Sequence, residues 1–393
     1  MNLIDRIKPF KEEEKIVENL TKEVFSKLNK IRNVKFVLGG SVSKDTWLKG
    51  TNEIDIFAKF NYFKFKEKDI SAVLCKELKK LFKLKLVHGS RNYFHINFKG
   101  FTFEIVPILD IKNPKEAKNV TDLSPLHINF VKKYPKLKDE IRLLKMFCKT
   151  NSLYGAESYI SGFSGYTLEI LVIYYKNFKN VLKNATKWKD KTIIDILGKV
   201  KDPLNELNPS KIVSPLIIID PADQTRNISA SLSHENFYKF INLSKEYLKN
   251  PSEKFFVERN EIPKDAFVLK IIPLKGKKDV IGAKAVKDMT YIKNKLNEHV
   301  FFVNKSEWFW NKEIVFWFKV KNKKLSMYKI HKGPPESLEK NVDEFKKKHK
   351  NIFLKKGVYY AKIKREYVKV EDLIKKLLKD KYVKERVKEI KWK

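Results

Sequence analysis

Two carboxylates stand one residue apart in an otherwise apolar stretch of this 393-residue chain. Glu53 and Asp55 flank Ile54 in the segment "EIDIFAKF", whose apolar content predicts a strand. Because side chains alternate between the two faces of a strand, both acids would lie on the same face. Neighbouring carboxylates repel one another, and burial raises that cost. The pair therefore indicates either a solvated strand face, which is the more common case, or a cation held between the acids.

A Gly-Ser turn precedes this pair by eleven residues. The run "VKFVLGGS" predicts a strand that ends in a turn at Gly40 and Ser41. Backbone N–H groups and a hydroxyl in such a turn can hold a triphosphate. Mg²⁺ prefers hard oxygen ligands and often combines one or two carboxylates with substrate phosphates. A phosphate-binding turn followed by paired acids is typical of phosphoryl transfer.

A further carboxylate is available on another segment that is predicted to be a strand. The segment "FTFEIVPIL" supplies Glu104, with Phe103 and Ile105 facing the opposite way. Asp110 is the competing candidate, but it follows Pro107, where we expect the strand to have ended. Three acids would support a two-metal reaction, in which one ion activates the attacking hydroxyl and the other neutralises the leaving pyrophosphate.

The order of segments predicts an α+β chain of three domains. Helix-like and strand-like segments alternate in residues 1–120 and predict a small mixed sheet with helices. Residues 121–245 are mainly helical in pattern, and residues 246–393 return to an α+β pattern. The helices expected in this last region lie near 281–299, 338–350 and 371–390.

The charge of the chain favours a polyanionic partner. Lys and Arg number 84 against 47 Asp and Glu, a formal net charge of +37, and a field of that size favours nucleic acid. The last stretch, 375–393, has nine Lys or Arg and three acids, with Tyr382 and Trp392 among them. RNA contact and a merely solvated helix face both remain open for it.

Several protein classes are disfavoured by the same sequence. Its two cysteines, Cys75 and Cys148, stand far apart in apolar helical contexts, which predicts thiols in a reducing cytosol rather than disulfides or a zinc site. The N-terminal residues are charged and lack a signal-peptide core, and no apolar run is long enough to span a bilayer. We therefore expect a cytoplasmic protein.

The longer string "GSVSKDTWLKGTNEIDIF" matches the signature of the nucleotidyltransferase superfamily that includes DNA polymerase beta, and it resembles the archaeal-type (class I) CCA-adding enzymes. The likeness continues in order through "SPLHINF", "EIRLLKMFCKTNSLYGAE", "SGFSGYTLEIL" and "IIDPADQTRNISASLS". It returns more weakly in "HKGPPESLEKNVDEF". The resemblance spans most of the chain and is strong from about residue 37 to residue 245.

The resemblance implies a fold and an activity. The fold would be a polymerase-beta-like catalytic head, a helical middle domain and a basic α+β region that binds RNA. The activity would be the addition of C, C and A to the 3′ end of tRNA from CTP and ATP, without a nucleic-acid template and with two Mg²⁺ ions. It further implies recognition of the tRNA acceptor and T arms by a monomer or homodimer.

The resemblance also implies residue roles. Glu53, Asp55 and Glu104 would be the catalytic metal ligands, Glu104 standing where the family normally has Asp. The residues that would contact the nucleotide are Gly40, Ser41, Lys44, Ser124, His127, Lys145, Tyr154 and Arg226. Among these, Ser124 replaces the usual Thr, and Arg226 would help to read the incoming base. The segment "RNYF" at 91–94 departs from the His-Pro-Tyr type common in the family, so no RNA or metal role is assigned there.

Three other activities fit parts of this pattern. Within the superfamily, a poly(A) polymerase and a 2′-5′ oligoadenylate synthase share the acid signature, although the blocks after residue 120 speak against both. Outside it, an RNA-binding protein with a degenerate catalytic site would explain the charge and the Glu for Asp exchange.

Overall fold

The computed structural model describes residues 2–258, 261–311 and 313–392. The chain divides into two compact units, Met1–Arg259 and Asn260–Lys393. In the described residues, no helix combines the length and the apolar character needed to cross a membrane. The division into three domains at residues 120 and 245 stays a prediction.

The first unit begins with a mixed sheet of five strands in the order β1-β2-β5-β4-β3. Strands β2 and β5 are parallel, and the other pairs are antiparallel. The strands are β1 (Val34–Leu38), β2 (Glu53–Asn61), β3 (Leu84–Val87), β4 (Tyr93–Phe98) and β5 (Phe101–Asp110). The helices of this region are α1 (Leu3–Ile7), α2 (Lys11–Leu28), α3 (Gly40–Lys44), α4 (Tyr62–Phe65) and α5 (Ile70–Leu78). The predicted mixed sheet with helices is confirmed.

One face of this sheet is fully apolar. Alternate residues of β2 and β5, among them Ile54, Ile56, Phe103 and Ile105, are buried against α2 and α5 in a single core. The spacing of apolar residues in α2 matches this role, because its buried positions recur every three or four residues. Residues of opposite parity, including the three acids, therefore lie on the other face of the sheet.

The second part of the first unit is mainly helical, as predicted. Its core surrounds the apolar helix Gly165–Tyr175, in which seven consecutive residues are buried. The hydroxyl of Ser164 caps that helix by accepting a hydrogen bond from the Thr167 N–H. The elements are α6 (Ser124–Lys132), α7 (Lys138–Thr150), α8 (Gly165–Tyr175), α9 (Phe178–Ala185), β6 (Thr192–Ile194), α10 (Pro203–Glu206), β7 (Leu216–Ile218) and α11 (His234–Lys249). Short 3₁₀ turns occur at Pro114–Glu116, Val120–Leu123, Pro135–Leu137, Pro209–Lys211 and Glu253–Phe256.

The second unit contains two sheets. A four-stranded sheet in the order β14-β8-β10-β9 packs against α12 and α14, and a three-stranded sheet in the order β11-β13-β12 carries α13. The strands are β8 (Phe267–Pro273), β9 (Val303–Trp310), β10 (Ile314–Val320), β11 (Tyr328–Pro335), β12 (Ile352–Lys355), β13 (Val358–Lys364) and β14 (Val387–Trp392). The helices are α12 (Lys278–Glu298), α13 (Glu339–Lys348), α14 (Val370–Leu377) and α15 (Lys381–Lys384).

Three local predictions are wrong. Residues 40–44 form the short helix α3 rather than a turn. Strand β5 does not end at Pro107 but continues to Asp110. It tolerates proline there because β4 pairs with β5 only as far as Ile105, so the missing N–H lies where one ladder has already ended.

The third wrong prediction is the long C-terminal helix at 371–390. Helix α14 ends at Leu377, the short α15 follows, and β14 pairs antiparallel with β8 at the edge of the sheet. Leu377, Val383 and Val387 are buried in the core of this unit. The basic tail is therefore part of the folded core and not a free helix.

Candidate active site

The backbone places the three predicted acids side by side. Strand β2 pairs with β5 so that Asp55 lies directly opposite Glu104, while Glu53 lies opposite Thr102. The three side chains share the face of the sheet that points away from the main core, and all three are at least partly exposed. Further along this face the chain becomes apolar, with Phe57 and Val106 buried. The acids therefore form a polar patch at the beginning of the two strands.

The electrostatics of this patch are those of crowded like charges. Burial raises the pKa of Asp55, and the Glu53 carboxylate adds to that rise. Burial, together with the charges of Asp55 and Glu53, raises the pKa of Glu104 to about 8. The His95 Nε2 lies 3.1 Å from the Glu104 Oε2. The patch is thus unfavourable for three bare carboxylates and favourable for cations.

The donor set fits Mg²⁺, since every candidate ligand is a carboxylate oxygen on adjacent backbone positions. Within the described ranges, however, no three His, Cys, Asp or Glu side chains converge in the arrangement of a bound metal ion. The strand register alone brings the three residues to adjacent backbone positions.

Gly40 is required by its contact with Asp55. It has a φ of +56°, and a Cβ at this position would lie 1.6 Å from the Asp55 Oδ2. The neighbouring Gly39 N–H donates to the Asp55 backbone oxygen at 2.7 Å. Only glycine lets the start of α3, with Ser41 and Lys44, lie against the acidic patch.

A buried carboxylate on α8 joins the two predicted phosphate-binding lysines. Lys44 Nζ lies 2.6 Å from Glu169 Oε2, and Lys145 Nζ lies 2.7 Å from Glu169 Oε1. The Thr46 hydroxyl also donates to Glu169 Oε1, at 2.8 Å. Burial alone would raise the pKa of Glu169, but the two lysine charges and their hydrogen bonds hold it at about 2. Glu169 is therefore a permanent anion that orients both lysines.

Lys145 is more deeply buried than a direct phosphate contact requires. Its side chain is 2% exposed, and its ammonium also donates to Thr46 Oγ1 at 2.9 Å. Tyr154 lies beside it, because a Cβ on Gly165 would be 2.9 Å from the Tyr154 hydroxyl and 3.8 Å from Lys145 Cε. Burial raises the pKa of Tyr154, with contributions from Glu169 and Asp55, so this tyrosine remains a hydrogen-bond donor near the acids.

A second buried carboxylate, Asp220, gathers the remaining predicted residues. Its Oδ2 lies 2.9 Å from His127 Nε2 and 3.4 Å from the Arg226 guanidinium, and Tyr166 donates to its Oδ1 at 3.3 Å. The His127 ring stacks on Tyr166 with centroids 4.1 Å apart. Burial opposes ionisation of Asp220, but the hydrogen bond and charge of His127 lower its pKa. The Arg226 guanidinium is thus held by the Asp220 carboxylate, while Asp223 accepts from Arg226 only the backbone N–H.

Helix α8 connects the two clusters, because Tyr166 and Glu169 are one turn apart on the same helix face. Ser124 is the first residue of α6, which contacts both α3 and α8. Sequence reasoning missed the roles of Glu169, Tyr166 and Asp220. One signal was present: Glu169 is the only acid in the apolar run "GYTLEILVIYY".

The competing candidate Asp110, and Arg91 of the segment 91–94 to which no role is assigned, lie apart from the acidic patch. Asp110 is on the same face of β5 as Glu104, but it pairs with Asn61 at the opposite end of the strand and forms an ion pair with Lys59. Arg91 of the "RNYF" segment forms an ion pair with the buried Asp122, whose carboxylate also accepts backbone N–H groups. Arg91 therefore has a structural partner.

Strand β2 has two acids, the parallel strand β5 has one, and the glycine-initiated helix α3 lies beside them. This arrangement defines the nucleotidyltransferase class. Three family models match the chain: "Nucleotidyltransferase domain" at residues 18–142, "tRNA nucleotidyltransferase, second domain" at 139–257, and "CCA-adding enzyme, C-terminal domain" at 277–390. The chain is 37% identical to the CCA-adding enzyme of Nanoarchaeum equitans over 84% of each chain. It is 31% identical to that of Saccharolobus islandicus, over 96% of this chain and 91% of the relative. The chain therefore belongs to the archaeal CCA-adding enzymes and is a CCA tRNA nucleotidyltransferase.

Solved structures share the fold at lower sequence identity. The Cid1 poly(U) polymerase, described as "Mg 3'-dATP bound", covers 65% of this chain and 96% of its own length with a TM-score of 0.51 and 15% identity. A cytoplasmic RNA terminal U-transferase covers 66% and 97% with a TM-score of 0.50 and 15% identity. These similarities confirm the predicted polymerase-beta-like architecture.

Proposed function

We propose that the reaction, the addition of C, C and A to the 3′ end of tRNA from CTP and ATP, takes place on the acidic patch of β2 and β5. The observation that carries this proposal is the register of those strands, which sets Asp55 opposite Glu104 beside the glycine-initiated helix α3. A phosphate-binding helix start and an acidic patch in contact are what nucleotidyl transfer to an RNA hydroxyl requires.

Glu53 and Asp55 would hold two Mg²⁺ ions, and Glu104 would bind the ion on the side of the nucleophile. When bound, the ions lower the pKa of the RNA 3′-hydroxyl and neutralise the triphosphate and pyrophosphate. The raised pKa of Glu104 supports this assignment, because a crowded carboxylate gains most from a neighbouring cation. Glu104 is one methylene longer than Asp, and its bond with His95 can orient that longer side chain.

The nucleotide would lie between α3 and the Asp220 cluster. Gly40, Ser41 and Lys44 would contact the triphosphate through the backbone of α3, a hydroxyl and an ammonium. Lys145 and Tyr154 would support that site from the buried side, since Glu169 joins Lys145 to Lys44. We therefore propose a positioning role for Lys145, and the direct triphosphate contact that the resemblance implies stays a prediction.

Base choice would belong to the residues held by Asp220. Arg226 is part-exposed and offers several rigid donors to base edges. Ser124, at the start of α6, and His127, stacked on Tyr166, would contact the nucleotide alongside it. Because Asp220 binds both His127 and Arg226, it would hold these two side chains in the same positions during each addition.

The RNA partner would be the acceptor and T arms of tRNA, bound by the basic second unit. The protein would act as a monomer or homodimer. We place it in the cytoplasm, a reducing compartment that suits its two free thiols, Cys75 and Cys148.

The test is nucleotide incorporation into a tRNA transcript that ends before CCA. With CTP alone the product should gain two nucleotides, and with CTP and ATP together it should gain three. UTP and GTP should give no product. A ladder of added A with ATP alone would instead identify a poly(A) polymerase, and no product with any mixture would identify an RNA-binding protein.

Substitution of the acids tests the site itself. Glu53→Ala, Asp55→Ala and Glu104→Ala should each lower turnover by a factor of about 10³ or more while tRNA binding persists, because each removes a metal ligand. Asp110→Ala is the matched control, since it removes an acid of the same sheet face outside the patch. A greater loss from Asp110→Ala than from Glu104→Ala would transfer the role to Asp110.

A further inference from the structure

One face of the three-stranded sheet of the second unit packs against α13 at β11, and we call it the covered face, although His331 and Leu354 on it are exposed. We call the opposite face the open face. On the covered face, the Phe345 ring of α13 stacks on His331, and Lys346 lies 4.9 Å from the Tyr359 ring centroid. Ala361, which pairs with His331, is fully buried there. Residues of opposite parity must point away from α13. The open face consists of Tyr328, Ile330, Lys332, Phe353, Lys355, Val358, Tyr360, Lys362 and Lys364.

This open face combines aromatic rings with lysines and carries no acid. Phe353 and Tyr360 lie side by side with ring planes 16° apart and centroids 5.6 Å apart, and Phe353 is 40% exposed. Lys362 Nζ lies 4.8 Å from the Tyr328 ring centroid. All nine residues of the face belong to the described part of the chain. A sheet face with exposed rings among cations is complementary to bases and phosphates together.

We infer that this open face binds unpaired bases of the RNA substrate by stacking on Phe353, Tyr360 and Tyr328, with Lys332, Lys355 and Lys362 contacting the adjoining phosphates. The inference rests on the proposed function in taking tRNA as the substrate. Paired A-form RNA keeps its bases inside the helix, so its helical arms cannot stack on aromatic rings of a sheet face. Unpaired nucleotides expose a π-face, and every base has one.

A purely electrostatic surface would not need these rings. Exposure of Phe353 and Ile330 to water is unfavourable in free energy, and neither side chain can bind a phosphate. A protein partner would be expected to meet an apolar patch with few charges at its centre, whereas here Lys332 and Lys362 stand among the rings and no acid balances them. The mixture favours single-stranded RNA over both alternatives.

The experiment measures the Kd of full-length protein for a tRNA transcript lacking CCA across a salt series. Phe353→Ala/Tyr360→Ala should raise the Kd about 5- to 100-fold and leave the slope of log K against log salt unchanged, because stacking releases no counterions. Lys332→Ala/Lys362→Ala should flatten that slope by about one unit for each phosphate that the protein no longer neutralises. Phe302→Ala is the matched control, an exposed ring outside this face, and should change neither quantity.

A second variant separates stacking from folding and from apolar packing. Phe353→Leu/Tyr360→Leu keeps apolar area but removes the π-faces, so it should lose affinity as the alanine variant does while thermal unfolding stays near that of wild type. A blunt-ended RNA duplex without loops should bind wild type and the leucine variant equally. Full affinity of the leucine variant for tRNA, or an equal loss on the duplex, would overturn the inference.

The same variants distinguish this inference from the proposed function. At saturating tRNA, the leucine variant should retain the wild-type kcat for CMP incorporation while its KM for tRNA rises with the Kd. A wild-type protein that incorporates neither C nor A would refute the proposed function. The binding comparison does not depend on incorporation and would refute the stacking surface separately.

Discussion

Removal of Glu169 should destabilise the first unit. Glu169 is fully buried, and it compensates the charges of Lys145 and Lys44. Glu169→Ala should leave Lys145 buried without a counter-charge and lower the free energy of unfolding by about 3–5 kcal/mol. The measurement is denaturant unfolding followed by a probe in the first unit.

A double variant gives the control for that prediction. Glu169→Leu/Lys145→Met replaces the buried pair by apolar groups and should recover most of the stability that Glu169→Ala removes. Activity should not recover with it, because Lys44 would still lack its buried anchor. Full activity in the double variant would contradict a positioning role for Glu169.

Arg226 carries the residue-scale prediction about nucleotide choice. Arg226→Ala should reduce the preference for C and A over U and G by a factor of about 10, roughly 1.4 kcal/mol, since it removes the donor fork that we propose reads the base. Asp220→Asn should have a smaller effect of the same kind, because it loosens both Arg226 and His127. Steady-state kcat/KM for each of the four nucleotides measures this.

Asp223→Asn is the matched control for nucleotide choice. Asp223 lies in the same loop, but its carboxylate caps Thr225 and does not bind the Arg226 side chain. The control should discriminate as wild type does. If Asp223→Asn reduced the preference for C and A as much as Arg226→Ala does, the ordered conformation of the loop, and not the Arg226 guanidinium, would determine nucleotide choice.

At the scale of elements, α8 determines the site although it supplies none of the predicted catalytic residues. Its apolar length places it in the core, and its one acid and one of its tyrosines then face α3 and α6. Strand β5 acts in a similar way, because its parallel register with β2 decides which acid meets Asp55. A shift in the register of either element is therefore expected to displace the site residues.

Helix α12 carries a buried carboxylate that no hydrogen bond satisfies. Neither oxygen of Asp288 has a partner among the described residues, and burial raises its pKa to about 7 despite the charges of Arg386 and Lys284. At pH values between the pKa of Asp288 in the unfolded state and its pKa in the folded state, the carboxyl is protonated in the folded protein and ionised in the unfolded chain. Stability of the second unit should therefore be greatest at acid pH and fall as pH rises through 7.

Asp288→Asn should remove that fall. Relative to wild type, the variant should gain up to about 4 kcal/mol between pH 4 and pH 8, measured by unfolding of the full chain at each pH. Asp343→Asn, which changes an exposed acid on α13, should follow the wild-type pH profile. Parallel profiles for Asp288→Asn and wild type would show that this carboxyl is solvated or paired in the folded protein.

At the scale of the whole molecule, the net charge of +37 predicts tRNA affinity that falls steeply with salt. Deleting residues 375–393 would not test this cleanly, because it removes Leu377, Val383 and Val387 from the core along with strand β14. We expect the deletion to unfold the second unit. Protease sensitivity and the loss of its unfolding transition would measure that outcome.

Charge-neutral substitutions in the same tail give the sharper test. Lys375→Gln, Lys376→Gln and Lys379→Gln change exposed residues and should preserve the fold. They should flatten the dependence of log K on log salt by about one unit for each phosphate left without its lysine, with the preference for C and A unaltered. An unchanged slope would mean that these lysines are only solvated.

The sequence by itself determined which residues could be catalytic. The acid-Ile-acid alternation, the glycine and serine before it, and the acid of "FTFEIVPIL" are local patterns, and a strand period of two places their side chains without tertiary information. The family resemblance also rested on local information, because it was found in short contiguous segments of the sequence. Helix and strand types were predicted well wherever the period was long and regular, as in α2 and β2.

The tertiary structure alone decided how those residues are held. Nothing local shows that Glu169 joins Lys44 to Lys145, which are 101 residues apart, or that Asp220 holds His127 across 93 residues. Local patterns also failed at Pro107 and in the C-terminal tail, because the outcome depended on where a partner strand ended or began. Pairing and burial are properties of distant segments brought together, so they appear only when the whole chain is folded.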